Sequence, residues 1–131
     1  MKYICLGYIE DKYFVGLTPA EQEKFMDACI AYDEELQRKG HFLGGEALQH
    51  VSTATTVRVR NGQSAITDGP FAETKEYLGG IMFLDAKDLN EAISLMSKHP
   101  SLKMGGTFEI RPSADLSEMV AQSKKRRGVT A

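Results

Sequence analysis

The sequence predicts a single α+β domain in which two helices cover one face of an antiparallel sheet. Three observations lead there. Short β-branched and aromatic runs alternate with amphipathic segments, the pattern of a mixed fold. Two capping boxes, Thr18 to Glu21 and Asp88 to Glu91, announce helix starts. A length of 131 residues, 42% of them hydrophobic, suits one domain with a real core and is too apolar for a disordered chain.

Residues 2–9 read as the first strand, apolar toward both faces. Residues 10–17 form a loop. Helix one then opens with Thr18 as N-cap and Pro19 in the first helical position. Phe25, Cys29, Tyr32 and Leu36 recur on one face at helical spacing, and Gly40 is a natural stop. Residues 41–50 read as a strand with an irregularity at Gly44-Gly45. Residues 54–60 alternate with period two, Asn61-Gly62 is a strong hairpin turn signal, and Gln63 to Thr67 pair back. Asp68-Gly69-Pro70-Phe71 is a turn by composition. Residues 72–78 form an excursion or a short helical turn. Ile81 to Leu84 is an uninterrupted apolar run and hence a buried strand. Leu89, Ala92, Ile93 and Met96 make the apolar face of helix two, which His99-Pro100 terminate. Residues 106–111 are the last strand, and the domain is expected to span 1–112 with a tail over 113–131.

Set apart from its inserted β-hairpin, this order is βαββαβ, the ferredoxin-like pattern with an antiparallel sheet. Two helices cover only one face of such a sheet, yet residues 3–9 and 81–84 are apolar toward both. A second copy packed sheet to sheet is the simplest cover, so a homodimer is expected.

The net charge of −2 gives no reason to expect direct nucleic-acid binding. Lys124, Lys125, Arg126 and Arg127 concentrate basic charge near the C-terminus, where a solvated chain end accounts for it. Cys5 and Cys29 do not make a disulfide framework, and no CxxC, HExxH or His/Cys cluster suggests a metal site. Gly44-Gly45 and Gly79-Gly80 lack the phosphate-loop pattern, so no cofactor is expected and close backbone packing explains them. No signal-peptide pattern or membrane-length segment is present, and a cytoplasmic setting is the expectation.

The segment Thr67-Asp68-Gly69-Pro70-Phe71-Ala72-Glu73-Thr74-Lys75-Glu76, followed by Gly79-Gly80, resembles the signature of the DGPF subgroup of YCII-related proteins. Gly44 to Leu48, Ala54 to Arg58, Asp88 to Ile93 and Glu109 to Pro112 fit the same family in order, so the resemblance covers residues 1–112. It implies a ferredoxin-like fold that dimerises into a dimeric α/β barrel. It also implies small-molecule enzymes with a proposed His–Asp active site, and for the DGPF type an association with sigma factors of the extracytoplasmic-function class. This chain departs from the pattern at Cys29-Ile30, where many relatives place a histidine. None of His41, His50 and His99 falls at that place, so a His–Asp mechanism does not simply carry over.

Asp68 is the leading candidate for a catalytic carboxylate, because a turn beside Phe71 can raise its pKa toward general acid–base use. The competing reading is a turn residue bonding its own backbone. Arg58 is a candidate clamp for a carboxylate or phosphate. Glu46, Lys75 and Tyr8 are candidates to line a cleft, against exposed charges and ordinary packing as alternatives. Cys29 lies in the stripe of helix one, where cysteine behaves as a small hydrophobe. The expected cleft lies between the sheet end and helix one, shared by Asp68 and Cys29. Two functions stay open: an enzyme using acid–base chemistry on a small metabolite, or a non-catalytic ligand-binding or regulatory module acting with a sigma factor. The sequence names no substrate.

Overall fold

The structure, a computed structural model, describes residues 1–130. Its main sheet contains β1 (Lys2–Ile9), β2 (Phe42–Ala47), β5 (Tyr77–Asp85) and β6 (Thr107–Pro112) in the order β2-β5-β1-β6, with every neighbouring pair antiparallel. That is the ferredoxin-like order. The inserted hairpin, β3 (Thr55–Arg60) and β4 (Gln63–Asp68), forms a separate two-stranded sheet. Its turn puts Asn61 and Gly62 at φ 53° and 75°, the left-handed pair that Asn-Gly accommodates.

Helix α1 (Pro19–Arg38) starts as its capping box requires: Thr18 Oγ1 accepts the Glu21 N–H at 3.1 Å. Gly40 follows its last turn at φ 80°. Helix α2 (Leu89–Met96) is capped by Asp88, which accepts the Glu91 N–H at 2.9 Å. Both helices lie on one face of the sheet. The core there is Tyr3, Cys5, Leu36, Met82, Leu84, Ala86, Ala92 and Met96, joined by Tyr32, Phe42, Leu95, Phe108 and Ile110. Each fully buried large apolar side chain, such as Leu36 or Leu84, contributes about 1.5–3 kcal/mol.

The register places Ile4 beside Phe83 and Leu6 beside Ile81 on the other face, where all four are only partly covered. Lys2 holds its ammonium 5.3 Å from the Phe83 ring at this face's edge.

Two stretches differ from the sequence reading. Residues 72–76 form neither helix nor strand, and β5 begins at Tyr77. The expected tail contains a third helix, α3 (Ser117–Arg126), whose first turn is fastened by Asp115 accepting the Ser117 N–H at 2.9 Å. Lys124, Lys125 and Arg126 lie in its last turn, where cations oppose the helix dipole favourably. This composition reads as a solvated end until the backbone shows the helix.

The Gly44-Gly45 irregularity is a register shift between Phe42 and Gly44 against β5. At Gly45 an added Cβ would stand 2.7 Å from the Ile81 carbonyl oxygen, which belongs to the neighbouring strand's backbone and cannot swing away. Gly45→Ala should therefore destabilise the domain by about 1–3 kcal/mol. Urea denaturation should show a lower midpoint with an unchanged slope, and an unchanged midpoint would refute the close approach.

Candidate functional site

The segment after β4 is bound back onto the hairpin. The Gly69 N–H donates to the Ala54 carbonyl at 2.7 Å, Thr56 Oγ1 donates to the Gly69 carbonyl at 2.8 Å, and Arg58 Nη2 reaches the Phe71 carbonyl at 3.4 Å. Gly69 sits at φ 103°, which a side chain resists, so glycine follows the aspartate for a backbone reason. The bound loop walls a cavity of about 380 Å³ lined by Val51, Ser52, Gly69, Pro70, Ala72, Glu73, Thr74 and Tyr77.

Beside this cavity three segments meet on one carboxylate. Asp11, in a 3-10 turn just beyond β1, accepts from Tyr77 Oη at 2.6 Å and from His50 Nε2 at 2.9 Å. The tautomer follows from the other ring nitrogen. The Ser52 N–H points at His50 Nδ1 at 3.1 Å, so Nδ1 carries the lone pair and Nε2 carries the proton. Ser52 Oγ also lies 2.9 Å from Nδ1. The His50 and Tyr77 rings meet edge to face at 5.4 Å. The bonds from Tyr77 and His50 hold the Asp11 carboxyl below the usual carboxylate range. Burial, then the bond to Asp11, pushes the Tyr77 phenol up to about 12. The cluster is a carboxylate that accepts two hydrogen bonds, one from a phenol and one from a ring nitrogen.

The residues singled out by sequence are spread over several elements, and none of the six lines the cavity. Asp68 is exposed at the end of β4 opposite Thr55, and its neighbours Gly69 and Pro70 form the wall. Arg58 and Asp68 share the hairpin, but the register sets them on opposite faces. Arg58 holds the loop through the Phe71 carbonyl. Glu46 is exposed on β2 opposite Ile81, and Tyr8 is partly covered on β1 between Leu78 and Thr107. Lys75 is exposed in the loop. Cys29 is half-buried on α1, and its thiol is pushed up by burial and then by the Asp33 charge, the reverse of activation. Cys5 is buried in β1 with its thiol raised to about 11 by burial, and both cysteines are free.

Sequence reasoning missed Asp11, Ser52 and Tyr77, and it reads His50 as a partly exposed loop side chain. Asp11 and His50 stand 39 positions apart and Asp11 and Tyr77 66 apart; the first two belong to short 3-10 turns without periodicity, and Tyr77 is the first residue of β5. A second His–Asp contact, His99 Nε2 to Asp33 at 3.2 Å, joins a buried ring to a partly exposed carboxylate between α1 and the 3-10 turn Pro100–Met104. Among the described residues, no group of three or more His, Cys, Asp or Glu is placed to hold a metal ion. No described helix is long and apolar enough to cross a membrane.

The architecture defines the class: a ferredoxin-like α+β domain with a hairpin inserted between its second and third sheet strands. Residues 1–117 match the YCII-related domain, and the chain belongs to that family. It is 31% identical over 118 residues to an uncharacterized protein of Rhizobium meliloti (strain 1021), covering 87% of this chain and 93% of that one. Among solved structures it resembles 5-chloro-2-hydroxyhydroquinone dehydrochlorinase (TftG) from Burkholderia phenoliruptrix AC1100, determined in complex with 2,5-dihydroxybenzoquinone. The TM-score is 0.52 at 16% identity, over 87% of this chain and 94% of that one, a likeness of fold.

Tyr77 offers a direct check on the cluster. A phenol raised above its ordinary pKa of about 10 stabilises the fold fully below that pH. The contribution is then lost as pH rises through about 12. Burial, then the Glu35 and Asp33 charges, also raise the Tyr32 phenol. Tyrosinate absorbance should lose its late component at about 12 in Tyr77→Phe and keep it in Tyr32→Phe. The same late component in Tyr77→Phe would place the raised group elsewhere.

Proposed function

We propose that this chain is a small-molecule protein of the DGPF type that binds a compact oxygenated metabolite beside the 69–74 loop. There it carries out acid–base chemistry with the Asp11, His50 and Tyr77 cluster. The observation that carries the reading is the junction of that cluster with the cavity wall: Tyr77 belongs to both. A preformed concavity with a few convergent polar groups and a perturbed phenol is what a ligand site requires. The fold neighbour adds support, since its structure holds a hydroxylated quinone and its name describes an enzyme. Asp68, one residue ahead of the wall, is the proposed second carboxylate. The alternative, a regulatory module acting with a sigma factor, gains nothing from the site or from the comparisons.

The working form in this reading is a homodimer in the cytoplasm, with both cysteines reduced. The partly covered Ile4, Leu6, Ile81 and Phe83 call for a cover, and a second sheet supplies one. Light scattering at micromolar concentration should report a dimer, and Phe83→Glu should shift it to monomer. A wild-type monomer would overturn this part. A stable interface there should bury roughly 1,000 Å² or more.

Ligand binding is tested by thermal shift with a panel of hydroxybenzenes, quinones and hydroxy acids. Tyr77→Phe should weaken the best binder by about 1 kcal/mol, roughly fivefold. Asp68→Asn should weaken it as well, and unchanged binding would return Asp68 to a turn role. Wild-type affinity in Tyr77→Phe would remove the cavity from consideration.

A further inference from the structure

Two short segments of this chain build the same hydrogen-bond relay. In His50-Val51-Ser52, Ser52 Oγ lies 2.9 Å from His50 Nδ1, and His50 Nε2 reaches Asp11 at 2.9 Å. In His99-Pro100-Ser101, Ser101 Oγ lies 2.8 Å from His99 Nδ1, and His99 Nε2 reaches Asp33 at 3.2 Å. Each serine also donates its backbone N–H to the same ring nitrogen, and each histidine caps a 3-10 turn. A structural cap explains both copies equally well up to this point.

The surroundings separate them. His99 is 7% exposed, packed between the Tyr32 and Phe108 rings. His50 keeps half of its side chain exposed, and Ser52 lines the cavity. Of the two serines, Ser52 stands on the wall of this cavity and Ser101 does not. The copy at residue 50 has the order required of an activated nucleophile: a hydroxyl on a base, and the base oriented by a carboxylate. On the wall of the same cavity, the backbone N–H groups of Ala72, Glu73 and Thr74 have no backbone acceptor among the described residues. Such amides are of the donor type that a developing oxyanion needs.

We propose that Ser52 is a nucleophile served by His50 and Asp11, and that the cavity takes a small neutral or cationic carboxylic ester. This rests on the reading of the cavity as a ligand site. Ser52 Oγ attacks the ester carbonyl carbon while its proton passes to His50 Nδ1. The carbonyl π electrons move onto oxygen. Collapse of that adduct breaks the bond to the alkoxide, which takes the proton from His50 and leaves as the alcohol. Water then attacks the acyl-Ser52 ester, giving its proton to His50. The acid departs, and the proton returns to Ser52 Oγ. The sum is ester plus water to acid plus alcohol, with no other reactant. Glu73 on the wall sets the preference, since a like charge on the substrate would be repelled.

The test uses the full chain and an uncharged fluorophosphonate, with adducts located by peptide mass mapping. One adduct on Ser52 is expected. It should vanish in Ser52→Ala and persist in Ser101→Ala. His50→Gln retains an acceptor for the Ser52 N–H but loses the base, and circular dichroism verifies its fold. Labelling of that variant should slow by roughly 100-fold or more. No adduct on the folded wild-type chain overturns the proposal, as does an adduct on Ser101 or one that survives Ser52→Ala. If labelling fails while ligand binding still responds to Tyr77→Phe, the nucleophile falls and the ligand site stands.

Discussion

β1 and β5 pair antiparallel from Lys2 opposite Asp85 to Ile9 opposite Tyr77, and the remaining parts of the domain take their places from that ladder. Its pleat sends Tyr3, Cys5, Met82 and Leu84 to the helices and Ile4, Leu6, Ile81 and Phe83 to the opposite side. β2 and β6 add to its two edges. The pairing also decides what stands at the sheet's end. Because Ile9 lies opposite Tyr77, the residue two places beyond Ile9 comes within reach of the Tyr77 hydroxyl, and that residue is Asp11. The Leu48 N–H donates to the Gly79 carbonyl at 2.8 Å, which carries the chain after β2 to the same end and sets His50 beside both.

Asp11 is then a hub held by geometry. An exposed carboxylate alone would trade its hydrogen bonds freely with water. Here the two donors arrive on separate backbone segments, a 3-10 turn and a strand, each fixed by bonds of its own. The Tyr77 phenol is kept protonated by partial burial and by the carboxylate it serves. The histidine tautomer is set by the Ser52 amide. Every proton in the cluster has an assigned atom, and orientation of this kind is what acid–base or nucleophilic chemistry needs before a substrate arrives.

The two His-x-Ser relays show how one local device serves different ends in different surroundings. Around His99 the aromatic rings of Tyr32 and Phe108 fill the space, and the relay binds α1 to the turn before β6. Around His50 the 69–74 loop stands off and leaves a cavity. That loop holds its position through Thr56, Arg58 and the left-handed Gly69, which gives the DGPF-like segment a scaffolding role whatever else it does.

The sequence by itself determined the parts whose causes are local. The helix starts at Thr18 and Asp88 follow from side chains capping amides three residues away, and the Asn61-Gly62 turn follows from two residues that tolerate positive φ. The βαββαβ order, the Gly44-Gly45 irregularity and the two-sided apolar strands were legible for the same reason: period and composition are carried by neighbours. The DGPF-like segment and its companions also pointed to the YCII-related family to which the chain belongs. Helix α3 was not legible, because its short apolar stripe of Leu116, Met119 and Val120 is exposed and runs into a polar, basic stretch that matches a solvated end. The cluster of Asp11, His50 and Tyr77 was decided by tertiary structure alone. Its members lie 39 and 66 positions apart in sequence, and only the β1–β5 register and the Leu48–Gly79 bond bring them onto one carboxylate.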